Sequence, residues 1–544
     1  MNHRFAQKHP AHHTGCFLSL QSKAGDKAMM SRAIYPSCSA FQEMRQNHPH
    51  EGIPLVVTIK RPEKITVPAT FNHFCPQGTI GILLESSRHN EQSGRYSLIA
   101  LNPYQEFRAK GSTISIRKNQ ERRALRPRPA LPFGQASGEQ TEEADKPLER
   151  LRQEYLQSPI YAWPGRPKFC GGIVGGLSYD MGRHFERLPD QTIDDLDLPD
   201  LLFYWVDDAI LFDHLEDTVT IVALQWPRET YEITAKRLQD YVDQLDFIKP
   251  LPEGKWTDKK KAYEETISVK PNVSAQQFTE MVKSCQEYIR AGDIFQANLS
   301  VRLETDVTAH AWSVYQILRQ INPSPYSCYL DFGDWQVVSS SPELLVRLQE
   351  GLAETRPIAG TRKRGKTSIE DEAMAEELLH NEKEEAEHVM LVDLERNDLG
   401  RLCQFGTVEV NQFKVIEYYS HVMHLVSNVR GILRPDQDVF DLIQATFPGG
   451  TITGAPKIRS MEIIEELEPT KRSFYTGSIG FIGFDGTMEL NIVIRTLLFK
   501  AGLAYVQAGA GIVADSLPER EYKESLRKAE ALLRAVEIAE EKQP

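Results

Sequence analysis

Two stretches of the sequence carry pairs of acidic residues at helical spacing. Glu384 and Glu387 lie three apart in EKEEAEHVMLVDLERND, and Glu521 and Glu524 repeat that spacing near the C-terminus. Residues three apart share one face of a helix, so each pair presents two carboxylates on one side. Two such helices could jointly hold Mg²⁺, which takes one or two carboxylates and completes its shell with water and substrate oxygens. From the spacing alone, ordinary surface acids on solvated helix faces are the favoured alternative.

Two glycine-rich segments could bring the backbone close to an anion. PGGTITGAPK (448–457), which contains Thr451 and Lys457, precedes a predicted helix, where unpaired N–H groups favour negative charge. It lacks the Gly-Lys-Ser/Thr of a P-loop, which excludes the nucleotide interpretation and leaves a tight strand–helix turn as the alternative. QAGAGIVADS (507–516) places Gly509 and Gly511 where a ligand could approach the main chain.

Two cationic or titratable side chains lie in apolar strands. Arg495 ends the strand NIVIRT and needs a partner, either a structural acid or a ligand carboxylate held bidentately. His424 interrupts the apolar strand HVMHLVS, where a hydrogen-bonded core histidine is the simpler explanation.

The elements that must position these residues fall into two segments. Residues 51–265 are predicted to form a strand-rich N-terminal domain with a loop or linker at 118–150, and residues 1–50 are expected to lie outside the fold. A polar stretch at 249–270 marks the boundary, and residues 271–537 alternate strands with long helices. This pattern predicts an α+β fold with a large, mostly antiparallel sheet.

Three helices of the second segment have recognisable limits. Ser274-x-x-Gln277 is a capping-box pattern, and Ser516-x-x-Glu519 is predicted to be a second one that opens the last helix, which runs from Leu517 to about Glu541. The longest helical pattern runs from about 368 to 397.

Composition excludes several classes of protein. The chain has 544 residues, of which 41% are hydrophobic, and a formal charge of −13, so nucleic-acid binding through a basic surface is not expected. No apolar run approaches the 18 or more residues of a membrane span. Seven scattered cysteines suit a reducing compartment, and we expect a cytoplasmic protein without membrane association.

The order and spacing of several strings resemble the chorismate-utilising enzyme family. That family includes anthranilate synthase component I, aminodeoxychorismate synthase component I, isochorismate synthases and salicylate synthases. The resemblance is dense over about 271–537, and GILLESSRHNEQSGRYSLIALNP (81–103) extends it to the N-terminal domain of the two amine-forming members. The strings that carry it are RPIAGTRKRG, EEAEHVMLVDLERNDLGR, YSHVMHLVS, FPGGTITGAPKIRSMEII, YTGSIGFIGFDG, IRT and QAGAGIVADS.

The resemblance implies a layered α/β sandwich and assigns roles to named positions. It implies Mg²⁺ held by Glu387 and Glu524, with Glu521 close by, and a histidine near the ring and leaving group at His424. Thr451 and Lys457 lie in the family's binding turn. The positions that match contacts to the substrate carboxylates are Tyr475, Arg495, Gly509 and Gly511.

Two positions bear on which member of the family the chain resembles. Isochorismate and salicylate synthases have a water-activating lysine where this chain has Gln296, and a neutral amide cannot serve as that base, so ammonia chemistry is favoured. QANLS, FPGGTITGAPK and MELNIVIRT resemble aminodeoxychorismate synthase. In contrast, Ala359 in PIAGT resembles anthranilate synthase, because many aminodeoxychorismate synthases carry a nucleophilic lysine there. We favour aminodeoxychorismate synthase and keep anthranilate synthase as the alternative.

The resemblance also implies a partner and a second pocket. Ammonia would come from a separate glutamine amidotransferase, whose Cys-His-Glu residues are not recognised in this chain. LLES and NPSPY resemble tryptophan-binding segments of anthranilate synthase, and here they form either a feedback site or, as we favour, its structural remnant. The residues of this possible effector pocket are Leu84, Glu85, Ser86, Asn322, Pro323, Ser324 and Tyr326.

Overall fold

The computed structural model describes residues 32–87, 94–118, 138–251, 267–418 and 422–541. The helices are α1 Cys38–Asn47, α2 Val67–Phe74, α3 Pro147–Tyr155, α4 Gly182–Phe185, α5 Tyr231–Gln244, α6 Ala275–Ala291, α7 Ala311–Ile321, α8 Ser368–Leu379, α9 Glu382–Gly400, α10 Val439–Thr446, α11 Lys457–Leu467 and α12 Pro518–Glu540. The strands are β1 Ile53–Lys60, β2 Gly81–Glu85, β3 Tyr96–Leu101, β4 Gln105–Lys110, β5 Thr113–Lys118, β6 Gly138–Glu143, β7 Gly172–Leu177, β8 Leu201–Val206, β9 Asp208–Asp213, β10 Thr218–Gln225, β11 Lys270–Pro271, β12 Gln296–Asp306, β13 Tyr326–Asp331, β14 Trp335–Ser341, β15 Leu344–Gln349, β16 Leu352–Thr355, β17 Ile358–Lys363, β18 Glu409–Tyr418, β19 Val422–Ile432, β20 Gly454–Ala455, β21 Ser478–Gly483, β22 Met488–Asn491, β23 Thr496–Lys500 and β24 Leu503–Ile512.

The strands form two sheets of twelve strands each within the described residues. The first sheet has the order β1-β10-β9-β3-β2-β13-β14-β23-β24-β12-β11, with β20 paired to β12. The second has the order β17-β19-β16-β15-β22-β21-β7-β8-β4-β5-β6, with β18 paired to β19. All the strand pairs within these sheets run antiparallel, and hairpins such as β9–β10, β13–β14 and β4–β5 are joined by short turns.

The two sheets pack face to face between layers of helices. One apolar cluster joins both sheets through side chains such as Leu98 of β3 and Tyr204 of β8. A second cluster packs the outer face of the first sheet against α5, α6, α7 and α12, and a third packs the second sheet against α3, α9 and α10. Each sheet is therefore buried on both faces, which explains fully buried runs such as LLFYWV in β8. The expected α+β fold and layered sandwich are confirmed.

Both sheets contain strands from both sequence segments. β2 pairs with β13, and β7 pairs with β21, so each sheet joins one block of strands from 51–265 to one block from 271–537 within one compact unit. Most of the expected boundary at 249–270 lies outside the described residues.

Two expectations about non-core segments are wrong in part. Residues 34–48 belong to the fold: Tyr35 pairs with Val56, and Phe41 of α1 is buried in the core, while 1–31 lie outside the described residues. Within 118–150, residues 138–143 form β6 and Pro147 begins α3. β6 is an edge strand with the sequence GEQTEE, so it lacks the alternation of apolar residues that would have revealed it.

The helix limits follow local capping chemistry. The box at Ser274 and Gln277 is present, and α6 ends at the left-handed Gly292. The predicted helix over 368–397 is two helices, because the side chain of Asn381 accepts the Glu384 N–H and starts α9 afresh. The second predicted box is wrong: the Ser516 hydroxyl accepts the Val513 N–H of the preceding loop, and α12 begins after Leu517 without a side-chain cap.

Candidate active site

The antiparallel pair β12 and β24 forms the floor of the site. Gly509 lies opposite Ser300, and Gly511 lies opposite Asn298. A Cβ atom on Gly511 would overlap the Gln296 amide, and one on Gly509 would lie 2.5 Å from Asn298 Oδ1. Glycine is therefore required at both positions so that polar side chains of β12 can lie directly against the β24 backbone.

Glu387 of α9 reaches this floor through Gln296. Gln296 Nε2 donates a hydrogen bond of 2.9 Å to Glu387 Oε1, which lies 3.6 Å from the Cβ position of Gly511. Gln296 Oε1 is buried and makes no hydrogen bond to the residues that the structure describes. The amide therefore orients the carboxylate and leaves one buried acceptor oxygen beside it.

The first turns of α12 bring a second carboxylate and a cation to the same strand. Lys528 Nζ donates to the Gly509 carbonyl at 2.8 Å and forms an ion pair of 2.9 Å with Glu524. Sequence analysis missed Lys528, although its i, i+4 spacing from Glu524 was a usable signal. Glu387 and Glu524 thus approach β24 at glycines two residues apart.

The oxygen atoms gathered at this site are suitable donors for a hard cation such as Mg²⁺. Glu387, Glu524 and Gln296 carry oxygen atoms of the kind that Mg²⁺ binds, and Mg²⁺ needs only one or two protein carboxylates. Within the described residues, no three His, Cys, Asp or Glu side chains are grouped closely enough to hold a metal ion, so Glu521 does not complete a three-acid cluster. The residues present therefore fit Mg²⁺ with two carboxylates, where water and substrate would complete the shell.

Arg495 lies between β22 and β23 with an unusual backbone, and its side chain has no partner among the described residues. Its φ is +52°, a left-handed conformation that costs a non-glycine residue of order 1 kcal/mol. Its guanidinium makes no hydrogen bond or ion pair with any described residue. Burial lowers the pKa of Arg495, while the nearby Tyr475 and Glu524 oppose that shift. The geometry therefore favours the ligand-carboxylate alternative over a structural acid.

Tyr475 lies between Arg495 and the floor strand. Its hydroxyl is 3.0 Å from the Cβ position of Gly509. Burial raises the pKa of Tyr475, and the Arg472 and Arg495 charges only partly oppose this, so the phenol remains a neutral donor.

His424 and Ala359 lie on neighbouring strands of the second sheet. His424 of β19 is buried, with Nδ1 2.9 Å from Thr361 Oγ1 and 3.4 Å from the Gly360 carbonyl oxygen. Ala359 of β17 pairs with Leu425 and offers only a methyl group. The ring is thus held through Nδ1 by neighbouring β17, and no amine is available at position 359.

A buried acid that sequence analysis missed lies beneath the binding turn. Thr451 Oγ1 donates a hydrogen bond of 2.7 Å to Glu343 Oε1. Burial raises the pKa of Glu343 to about 7, and the Thr451 hydrogen bond and the Lys528 charge only partly oppose this. A carboxyl with that pKa can donate or accept a proton near neutral pH. The available signal was an isolated acid between two apolar strands, in SSSPELLVR.

Lys457 begins α11 and is engaged within the protein. Its Nζ lies 2.7 Å from Asp398 Oδ2 and 3.1 Å from the Thr446 carbonyl oxygen. The lysine therefore ties α11 to α9 and is not presented as a free amine.

The expected effector pocket corresponds to a cavity between the sheets. The cavity encloses about 540 Å³, including its open mouth, and four of the expected residues line it: Leu84, Glu85, Ser86 and Tyr326. Asn322, Pro323 and Ser324 do not line it: Asn322 donates to Ser340 Oγ, and Ser324 N–H donates to Ser87 Oγ. Lys168 enters the cavity wall and lies 2.5 Å from Glu489.

The buried Arg495 and the Lys528 ammonium beside β24 suit a small anionic ligand. A family model for chorismate binding enzymes matches residues 88–534. The chain therefore belongs to the chorismate binding enzyme family and is an enzyme that acts on chorismate. No described helix is long and apolar enough to cross a membrane.

Individual relatives divide between two activities. The chain is 44% identical over 462 residues to aminodeoxychorismate synthase component 1 of Bacillus subtilis, covering 85% of this chain and 92% of that protein. It is 43% identical over 473 residues to anthranilate synthase component 1 of Acetivibrio thermocellus, covering 84% and 90%. The crystal structure of anthranilate synthase component I from Streptococcus pneumoniae TIGR4 superposes with a TM-score of 0.69 at 33% identity, covering 87% of this chain and 98% of that one.

Proposed function

We propose that this chain is the component I subunit of an aminodeoxychorismate synthase, which replaces the C4 hydroxyl of chorismate with an amino group. The observation that carries the proposal is Gln296, whose neutral amide is fixed against Glu387 by a 2.9 Å hydrogen bond. An amide cannot deprotonate water, so ammonia, which is already a nucleophile, is the favoured attacking group.

The two carboxylates of chorismate would be held by separate groups. Arg495, whose side chain has no hydrogen-bond or ion-pair partner among the described residues, would hold the enolpyruvyl carboxylate together with the Tyr475 hydroxyl and the backbone of β24. Glu387 and Glu524 would hold Mg²⁺, which supplies Lewis-acid stabilisation and a template at the ring carboxylate. Lys528 adds a positive charge near the Gly509 carbonyl. With Mg²⁺ bound, the electrostatic potential at the site would be positive although the net charge of the chain is −13.

The leaving hydroxyl needs a proton, and the chain offers two groups for it. Glu343 is buried and its pKa of about 7 allows it to remain protonated near neutral pH. His424 is held at Nδ1 by Thr361 and is the second titratable group of the site. Ammonia would attack the ring directly, because Ala359 cannot form a covalent adduct and Lys457 is paired with Asp398.

A separate glutamine amidotransferase would supply the ammonia, since relatives of comparable identity are named component 1, which implies a further component. Anthranilate synthase is the second candidate. Ala359 and the 43% identity to an anthranilate synthase component 1 favour it.

The deciding experiment incubates the purified chain with chorismate, Mg²⁺ and ammonium. A non-fluorescent product that an aminodeoxychorismate lyase converts to 4-aminobenzoate supports the proposal. Fluorescent anthranilate would establish the alternative, and turnover with glutamine alone would exclude the need for a separate amidotransferase.

A further inference from the structure

A second cavity adjoins the candidate active site and shares Tyr475 with it. It encloses about 390 Å³, including its open mouth. Arg302 of β12 and Gln507 of β24 line it, four residues from Asn298 and two residues from Gly509 respectively. Side chains two or four residues apart on a strand lie on the same face, so the cavity continues along the face of β12 and β24 that forms the floor of the site.

Two buried polar groups in the wall of this cavity have no protein partner. Arg302 is 6% exposed, and its Nη1 atom makes no hydrogen bond to any described residue, whereas its Nη2 atom donates to Asp195. Ser473 is also 6% exposed, and its hydroxyl likewise has no hydrogen-bond partner among the described residues. An unpaired polar group inside a protein costs free energy, and the cost is larger for a charged group. Two such donors in the wall of one cavity indicate an acceptor that comes from outside the chain.

The rest of the wall is largely apolar. The side chains that supply it are Leu196, Val337, Phe474, Val493 and Leu498. The guanidinium carbon of Arg302 lies 5.7 Å from the centroid of the Tyr505 ring, which helps to hold the cation in place. The other cation of the wall, Arg472, is already paired with Glu468. The cavity therefore combines one cationic corner with an apolar body, which suits an amphipathic anion.

We propose that this cavity binds a small monocarboxylate with an apolar body. The carboxylate would accept hydrogen bonds from Arg302 Nη1 and the Ser473 hydroxyl, and its ring or chain would lie against the apolar wall. The volume is near the lower end of the range of about 300–1,000 Å³ for ligand pockets, so the ligand has one ring or a short chain. The proposal goes beyond the amination of chorismate and holds for either product, because the substrate carboxylate is assigned to Arg495 instead.

The test measures the binding of benzoate and of butyrate by calorimetric titration at constant ionic strength. Both carry a carboxylate on an apolar body, one aromatic and one aliphatic, and benzamide is a neutral control of the same shape as benzoate. We expect wild type to bind at least one of the two acids, and the tighter acid identifies the class of ligand. Benzamide should bind about tenfold or more weakly than benzoate, because it offers no charged acceptor to Arg302.

Three variants locate the bound acid. Arg302→Met and Ser473→Ala should each lose about tenfold or more in affinity, because each removes a hydrogen bond to a charged group. Ser473→Ala also tests the proposal if Arg302→Met does not fold, since it deletes a hydroxyl without a partner among the described residues. Arg495→Met, which removes the other candidate group for a carboxylate, should bind the acid as tightly as wild type.

Four results would overturn the proposal. Wild type might bind neither acid, or affinity might be unchanged in Arg302→Met or Ser473→Ala. Loss of binding in Arg495→Met would place the acid in the substrate site, and equal affinity for benzamide would show that the carboxylate is not recognised. Since no readout requires turnover, a chain that binds the acid but does not aminate chorismate would refute the proposed function alone.

Discussion

Arg495 and Arg472 provide a matched pair of buried arginines whose removal should have opposite consequences. Arg472 is 3% exposed and donates to both oxygens of Glu468 at 2.7 and 2.9 Å. Arg495 forms no hydrogen bond or ion pair with a described residue through its side chain. We therefore expect Arg495→Met to leave the fold as stable as wild type and to impair substrate binding. Arg472→Met should instead leave the buried Glu468 carboxylate without its cationic partner and destabilise the fold.

The magnitudes follow from the contacts. A hydrogen bond to a charged group contributes about 1.5–3 kcal/mol, and about 1.4 kcal/mol corresponds to a factor of ten. Loss of the contact to a substrate carboxylate should therefore raise KM by about 10- to 150-fold in Arg495→Met. Breaking the enclosed pair in Arg472→Met should cost about 3–5 kcal/mol of stability, because Glu468 is also buried.

The assay combines denaturant unfolding with steady-state kinetics on chorismate, run on both variants and wild type under the same conditions. The expected result is a normal unfolding midpoint with raised KM for Arg495→Met, and a lowered midpoint for Arg472→Met. An Arg495→Met variant that is as unstable as Arg472→Met, or that keeps a wild-type KM, would refute the assignment of Arg495 to the substrate.

Three further predictions concern the metal, the buried acid and the ring chemistry. Glu387→Gln and Glu524→Gln should each abolish turnover with Mg²⁺ in a spectrophotometric assay, and near-normal activity in both would remove the metal assignment. Because the folded state raises the pKa of Glu343 from 4.5 to about 7, its contribution to stability is present below about pH 4.5 and is lost as the pH rises through 7. Glu343→Gln should therefore gain stability over wild type across that window, approaching about 3 kcal/mol in urea unfolding, while turnover falls; a constant difference would contradict the shifted pKa. Borohydride treatment during turnover should trap no substrate–lysine adduct by mass spectrometry, because Ala359 cannot form one, and an adduct on Lys457 would disprove direct attack by ammonia.

The glycines and the acids at helical spacing are the parts of the candidate site that the sequence itself marks out. Glycine is required at 509 and 511 because side chains of β12 lie against the β24 backbone there. A glycine at such a position is visible in a single sequence. Glu387 lies three residues after Glu384 on α9, and Glu524 lies three residues after Glu521 on α12. Which acids converge was not predictable from spacing, because it depends on how α9 packs against β19 and β17 and how α12 packs against β24. Glu521 does not form a three-acid group with them within the described residues.

The residues that sequence analysis missed act through long-range contacts. Glu343 meets Thr451 across 108 positions of sequence, and nothing local distinguishes it from a strand-end acid. Likewise, Lys528 resembles a surface lysine until α12 is docked against the Gly509 carbonyl. The failed capping box at Ser516 has a similar cause, since its hydroxyl meets a donor in the preceding loop instead.

The fold class followed from the alternation of strands and long helices, but the division of strands between two sheets did not. β2 pairs with β13 and β7 with β21, and both pairings join segments that the sequence presents as separate domains. Which distant strands pair depends on how each sheet is buried on both faces. A local sequence pattern contains no information about that burial.

The central claim is that ammonia enters at C4 and the enolpyruvyl group stays on the ring. Its most direct test is the mass spectrum of the product formed from chorismate, Mg²⁺ and ¹⁵N-ammonium. A ¹⁵N-containing product that keeps the enolpyruvyl group, with no pyruvate released before lyase is added, is the predicted result. Release of pyruvate together with ¹⁵N-anthranilate would contradict the account.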